Sequence, residues 1–137
     1  MDAVIQSFLA GFPVLMLHSS VTIAMLVAGV VIYVWMTPWD EVALIRGGNT
    51  AAAVSLGGAI IGLAIPLAFA MAASLSVWDI LIWGAVTLVL QIVAYRIADL
   101  VLKDLPKRIE AGEMGAAVLM VAIKLAAAAI NAAAVAG

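Results

Sequence analysis

Cysteine is absent from this 137-residue chain, and histidine occurs once. The first absence removes disulfides, thiolate nucleophiles and thiolate-held metals; one histidine without cysteine cannot complete a standard zinc site. No metal and no cofactor are therefore expected. Charge is nearly as scarce, at 10% of residues, with six Lys and Arg against eight Asp and Glu. A soluble domain carries about 25% charge. So few ionised side chains cannot cover the surface of a water-soluble fold, which excludes a soluble globular enzyme. The net charge of −2 gives no ground for a nucleic-acid partner. The opening stretch, MDAVIQSFLAGFPVLM, has no basic residue, so no cleavable signal peptide is expected and the first span should persist as an anchor.

What the chain has is apolar length: 68% hydrophobic residues and a mean hydropathy of +1.30. A hydrocarbon core about 30 Å thick takes about 20 apolar residues per helical span. Four runs meet that length, at 12–36, 50–73, 77–100 and 114–136. The fold class is thus all-α and integral to the membrane, one four-helix domain with the lipid bilayer as its first partner. Arg46 lies between spans one and two, and Arg96, Lys103, Lys107 and Arg108 lie at or after the end of span three. The positive-inside rule makes those two loops cytoplasmic and places both termini outside. Trp35, Trp39 and Tyr95 near one face, and Trp78 and Trp83 near the other, suit interfacial belts. Thr37-Pro38-Trp39-Asp40 predicts a short helix over 38–46 with Thr37 as its cap, stopped by Gly47-Gly48. Ser76-Val77-Trp78-Asp79 predicts the start of span three, with Asp79 as a first-turn residue rather than a functional acid.

Sliding the chain by 64 residues lays 45–54 over 109–118, matching Ile45/Ile109, Gly48/Gly112, Ala52/Ala116, Ala53/Ala117 and Val54/Val118, with Asp40 over Asp104. The expectation is two tandem helix-pair repeats, about 12–73 and 77–136, running parallel rather than inverted. Glu41, Gly48-Asn49, Ala51-Ala52-Ala53 and the stretch Gly58-Ala59-Ile60-Ile61-Gly62 resemble the YjfL-like bacterial inner-membrane family, a domain of unknown function (number three-fifty). The likeness runs from about Val14 to Ala136. In the second copy Glu113 stands where the first has Asn49, and Ala122 and Ala126 replace glycines. The resemblance implies a small bacterial inner-membrane protein with a duplicated helical pair and supplies no catalytic residue.

Gly57, Gly58 and Gly62 in span two, and Ala122 and Ala126 in span four, are the candidate helix-packing residues, since small residues let backbones approach in lipid. Pro66 lacks an amide and predicts a kink or hinge in span two. The costly residue is Lys124, roughly 15 Å along span four. A central lysine costs about 2.5–3.5 kcal/mol on insertion scales. Helical spacing and depth put Asn131, Gln91 and His18 with it in one polar seam or pathway, with Ser55 extending it toward the cytoplasm. No acid is expected at its depth, so an ion pair within the chain is not expected, and an unpaired lysine favours an anion path over a cation path. Arg96, Asp99 and Lys103 predict a solvated helix end, and Lys103, Lys107 and Arg108 a cytoplasmic basic cluster facing lipid or a protein partner. No nucleophile–base pair is recognisable. The favoured function is a non-enzymatic, homo-oligomeric membrane scaffold or assembly subunit. The alternative is a small ion channel or transporter, with an anion the more natural cargo.

Overall fold

A computed structural model describes all residues, 1–137. It is entirely helical: α1 Asp2–Met36, α2 Glu41–Arg46, α3 Thr50–Ala73, α4 Val77–Val101, α5 Asp104–Glu110 and α6 Met114–Ala136. The four long helices are each long and apolar enough to cross a membrane. The order is long, short, long, and then the same again.

Local chemistry sets the boundaries. Asp40, not Thr37, caps α2, accepting from the Ala43 amide at 3.0 Å; the Thr37 hydroxyl instead donates to the Val34 carbonyl that α1 leaves open. The expected helix 38–46 therefore starts three residues late. Both short helices end on a glycine in the left-handed region, Gly48 at φ 91° and Gly112 at φ 90°. In each, the next residue's amide reaches back to close the last turn, Asn49 to Leu44 and Glu113 to Arg108. Asn49 caps α3 through the Ala52 amide, and its side-chain nitrogen donates to the Ile109 and Glu110 carbonyls, tying α3 to α5. Ser76 caps α4 through the Asp79 amide, while Asp79 accepts from Leu75, so Asp79 is the expected helix-start residue.

Pairs of contacts give the register. Val121 lies against Gly58, and the Lys124 carbonyl against Gly62, so α3 and α6 run parallel. Met25 meets Gly84 and Leu88 meets Gly29, so α1 and α4 run parallel too, opposite to the other pair. Glycine decides the close approaches: a Cβ on Gly62 would collide with the Tyr95 hydroxyl, and one on Gly58 with Val121. Around Gly57 there is open space, so it is not a packing residue within the chain. Ala122 and Ala126 also face outward. Lys124 points inward, and positions two residues away lie about 200° round a helix with 3.6 residues per turn. The inner face of α6 is instead Ala117, Met120, Lys124, Ala128 and Ala132. Pro66 is buried in α3, which continues through it unbroken to Ala73.

α1 departs from its expected length. It is 35 residues long, and every residue before His18 is exposed. Carrying the Met25–Gly84 register back two turns sets His18 level with Val77, where α4 begins. The helix therefore overhangs the rest of the bundle by residues 2–17, about 24 Å at 1.5 Å per residue.

Candidate functional site: a buried ion pair and polar lane

α4 turns one face inward along its length: Ile80, Gly84, Thr87, Gln91, Tyr95 and Asp99, at spacings of three and four. α6 faces it with Lys124 and Asn131, and α1 contributes Tyr33. The Lys124 ammonium, 2% exposed, donates to the Tyr33 hydroxyl at 2.7 Å and lies 3.3 Å from Asp99 Oδ1. It also sits 4.9 Å from the centre of the Tyr95 ring, within cation–π reach. Its 5.0 Å separation from the Tyr33 ring centre follows from the hydroxyl hydrogen bond and is no separate attraction. Tyr33 and Tyr95 meet edge to face at 5.4 Å.

This ion pair corrects the expectation of an unpaired lysine, which rests on residue counts that put Asp99 nearer the helix end than Lys124. Side-chain direction overturns that reasoning. A helical Cα–Cβ bond tilts toward the helix N-terminus. α4 and α6 are antiparallel, so Asp99 leans down from its end of the bundle while Lys124 leans up toward it. The lysine stem covers the remaining distance. Lys124 is thus paired, and the electrostatic preference for an anion path, which needs a free charge, falls away.

The rest of the lane is amide chemistry. Gln91 Nε2 donates to the Lys124 carbonyl at 3.2 Å; Asn131 Nδ2 donates to Gln91 Oε1 at 3.3 Å and to the Thr87 carbonyl at 3.1 Å. Tyr95 donates from its hydroxyl to the Ala59 carbonyl at 2.9 Å, through the space that Gly62 leaves empty. Lys124, Gln91 and Asn131 therefore come together. His18 does not: its ring makes no hydrogen bond, and its level is the end of α4, about 15 Å from that of Thr87 and Asn131. His18 sits away from the lane because α1 enters the bundle late, after the overhang.

At the short-helix end the lane meets further charge. Asp99 Oδ2 has no hydrogen-bond partner and is 3.6 Å from Arg96. Glu41, 4% exposed, accepts from Trp39 Nε1 at 3.1 Å through Oε1, while Oε2 is unpartnered. Burial raises the Glu41 carboxyl above the ordinary carboxylate value, and the Lys124 charge partly offsets this. Glu41 and Ser55 line a cavity of about 10 Å³, the space of one water. Beside it a cleft of about 370 Å³ opens outward, lined by Trp39, Arg96, Asp99, Lys103, Lys107 and Glu110. Of the expected basic cluster, Lys103 and Lys107 share this cleft, whereas Arg108 pairs with Glu113 away from it. Asp99 is no solvated helix end, and Tyr95, fully buried, is no interfacial belt residue.

Sequence reasoning missed Asp99, Tyr33, Tyr95 and Glu41 as members of the site. The signal for two of them was present: Gln91, Tyr95 and Asp99 recur every four residues on one helix face. Nothing in the local pattern of α1 or α2 marked Tyr33 or Glu41.

Four apolar spans around a buried lysine–carboxylate pair, with short polar helices closing one end, define a small multi-pass membrane protein. The chain matches the family described as Domain of Unknown Function (DUF350) over residues 7–135, and it belongs to that family. It is 32% identical over 111 residues to the UPF0719 inner membrane protein YjfL of Escherichia coli strain K12, covering 81% of this chain and 84% of the relative. The protein of the same description from Escherichia coli O157:H7 matches equally. No solved structure matches the chain.

Proposed function

We propose that this protein is a non-enzymatic, homo-oligomeric subunit of a bacterial inner-membrane assembly, a rigid scaffold unit rather than a conduit. One observation carries the reading: from Lys124 to Asn131 the side chains of the lane pair with one another within a single chain, and the two unpartnered atoms, Asp99 Oδ2 and Glu41 Oε2, lie at its cleft end. Lys124 is neutralised by Asp99, and Thr87 and Gln91 are each 1% exposed and, with Asn131, hydrogen-bonded along the interior. The paired groups of the lane favour one helix arrangement, because an alternative register strands them in hydrocarbon. In this reading the seam is interhelical, not intersubunit.

The short-helix end, with Arg96, Lys103, Lys107 and Arg108, faces the cytoplasm, both termini lie outside, and the exposed lysines receive a cytoplasmic protein partner. The matching glycine stops at Gly48 and Gly112, and the parallel pairing of α1 with α4 and α3 with α6, support two tandem helix-pair repeats. Pro66, buried in continuous helix, serves packing rather than gating.

Ion passage is the second reading. It is favoured by the position of the lane between the cleft at Asp99 and a cavity of about 130 Å³ beside Asn131. The double variant Lys124→Leu/Asp99→Leu separates the two, because it removes both charges without stranding either. The scaffold reading expects the double variant to keep its oligomeric mass and proteoliposome ion flux to match empty vesicles for both proteins. Wild-type flux that the double variant abolishes would establish passage.

A further inference from the structure

Glu41 is the buried acid that the lane leaves without a cation. It is 4% exposed, yet it forms no ion pair. Both neighbouring cations serve Asp99 instead, the Lys124 ammonium at 3.3 Å and Arg96 at 3.6 Å. Its one hydrogen bond runs from Trp39 Nε1 to Oε1, and Oε2 has no partner. A buried carboxylate with no cation in contact is costly, and the cost is relieved when the group is neutralised.

Three features identify what neutralises it. The first is space. Glu41 and Ser55 line the cavity of about 10 Å³, which has room for one water and none for a hydrated ion or an organic cation. The second is the set of ligands. No three acidic or histidine side chains lie close enough together to hold a metal ion, and Glu41 alone offers too few oxygens for a hard cation. The third is the charge of the surroundings. Around Glu41, α1 brings Tyr33, α4 brings Asp99 and Arg96, α5 brings Glu110 and α6 brings Lys124, while α3 brings the uncharged Ser55. Arg96 lies at the outward cleft with a side chain 24% exposed, so the enclosed charges are Lys124, Asp99 and Glu41. Lys124 and Asp99 cancel. An ionised Glu41 therefore leaves the enclosed set with one net negative charge, and a protonated Glu41 leaves it neutral. Burial already favours the neutral form, and the Lys124 charge offsets this only in part. Access is from the short-helix end, because Trp39 and Glu110 line both the small cavity and the open cleft of about 370 Å³.

We propose that Glu41 is a reversible proton-binding site, filled from the cleft past Trp39, whose occupancy sets the charge of the cluster it forms with Asp99 and Lys124. The proposal goes beyond the scaffold reading and holds for a monomer and an assembly alike.

Infrared difference spectra of the full chain in lipid nanodiscs test it, stepped between about pH 9 and about pH 6, where free Asp and Glu side chains stay ionised. The expected result is one protonated-carboxyl C=O band that appears toward the lower pH and shifts in D2O. Glu41→Gln should abolish the band, and Glu110→Gln should leave it. Trp39 emission should change over the same range, because its indole donates to the titrating group, and Trp39→Phe should remove that change. Absence of the band from the folded wild type overturns the proposal. So does a band that survives Glu41→Gln and is lost in Asp99→Asn, which would put the proton on Asp99. A band removed at fixed pH by sodium chloride but not by choline chloride would put a metal cation in the site and overturn it equally.

Discussion

Replacing Lys124 with methionine removes the ammonium and leaves its stem. The Asp99 carboxylate is then buried at 6% exposure, with Arg96 at 3.6 Å as its remaining cationic contact. At 3.3 Å the pair's attraction is about 5 kcal/mol for an effective dielectric near 20. Burying both charges consumes much of that, so the pair's net value is smaller than its attraction. Removing one partner is different, because the stranded charge keeps its desolvation cost; broken buried pairs cost about 3–5 kcal/mol. Lys124→Met and Asp99→Leu are each expected to destabilise the bundle by that order, with the lysine variant also losing the Tyr33 contact. The double variant should recover most of the loss, since apolar replacements of a whole buried pair are often neutral. Reversible unfolding in mixed micelles, read by tryptophan fluorescence as a double-mutant cycle, measures the coupling. Additive single effects, or a Lys124→Met variant within about 0.5 kcal/mol of wild type, would refute the ion pair as the organising contact.

Three further outcomes follow from particular contacts. Gly62→Ala drives a methyl into the Tyr95 hydroxyl and should cost about 1–3 kcal/mol in the same assay, whereas Gly57→Ala meets open space and should be neutral or slightly stabilising. Equal effects would contradict the α3–α4 register. Asn49→Ala loses the α3 cap and both donations to α5 and should cost about 2 kcal/mol; Asn49→Asp, which keeps the cap and loses the donors, should fall between. Glu41 gives a pH dependence. Its folded carboxyl titrates above the ordinary value near 4.5, so the folded state binds the proton more tightly than the unfolded chain. That contribution is present below the ordinary value and lost as pH rises through the raised one. Glu41→Gln should match wild type in acid and exceed it at pH 8, and a difference unchanged with pH would contradict the burial of this carboxyl.

Apolar length alone made the four spans legible, and capping chemistry made the entry to α4 legible. Gly58 and Gly62 were recognisable as packing residues because their spacing is a backbone property. Rotation and side-chain direction were harder to infer. Ala122 and Ala126 match the small-residue pattern as well as Ala128 and Ala132 do, and only the inward aim of Lys124 decides between them. Asp99 looked solvated because residue counts measure where a Cα sits, while ion pairing depends on where the side chain leans. His18 was misplaced because depth was counted along a helix whose first 16 residues lie outside the bundle. Tyr33 and Glu41 join the site through contacts between elements far apart in sequence, which no local periodicity encodes.

In the proposed scaffold the polar lane is paired within one chain and the exterior assembles with further copies. Native mass spectrometry of the full chain in lipid nanodiscs tests that most directly. A discrete homo-oligomer is predicted, retained when Lys124 and Asp99 are both replaced by leucine. A clean monomer across the accessible concentration range would contradict it.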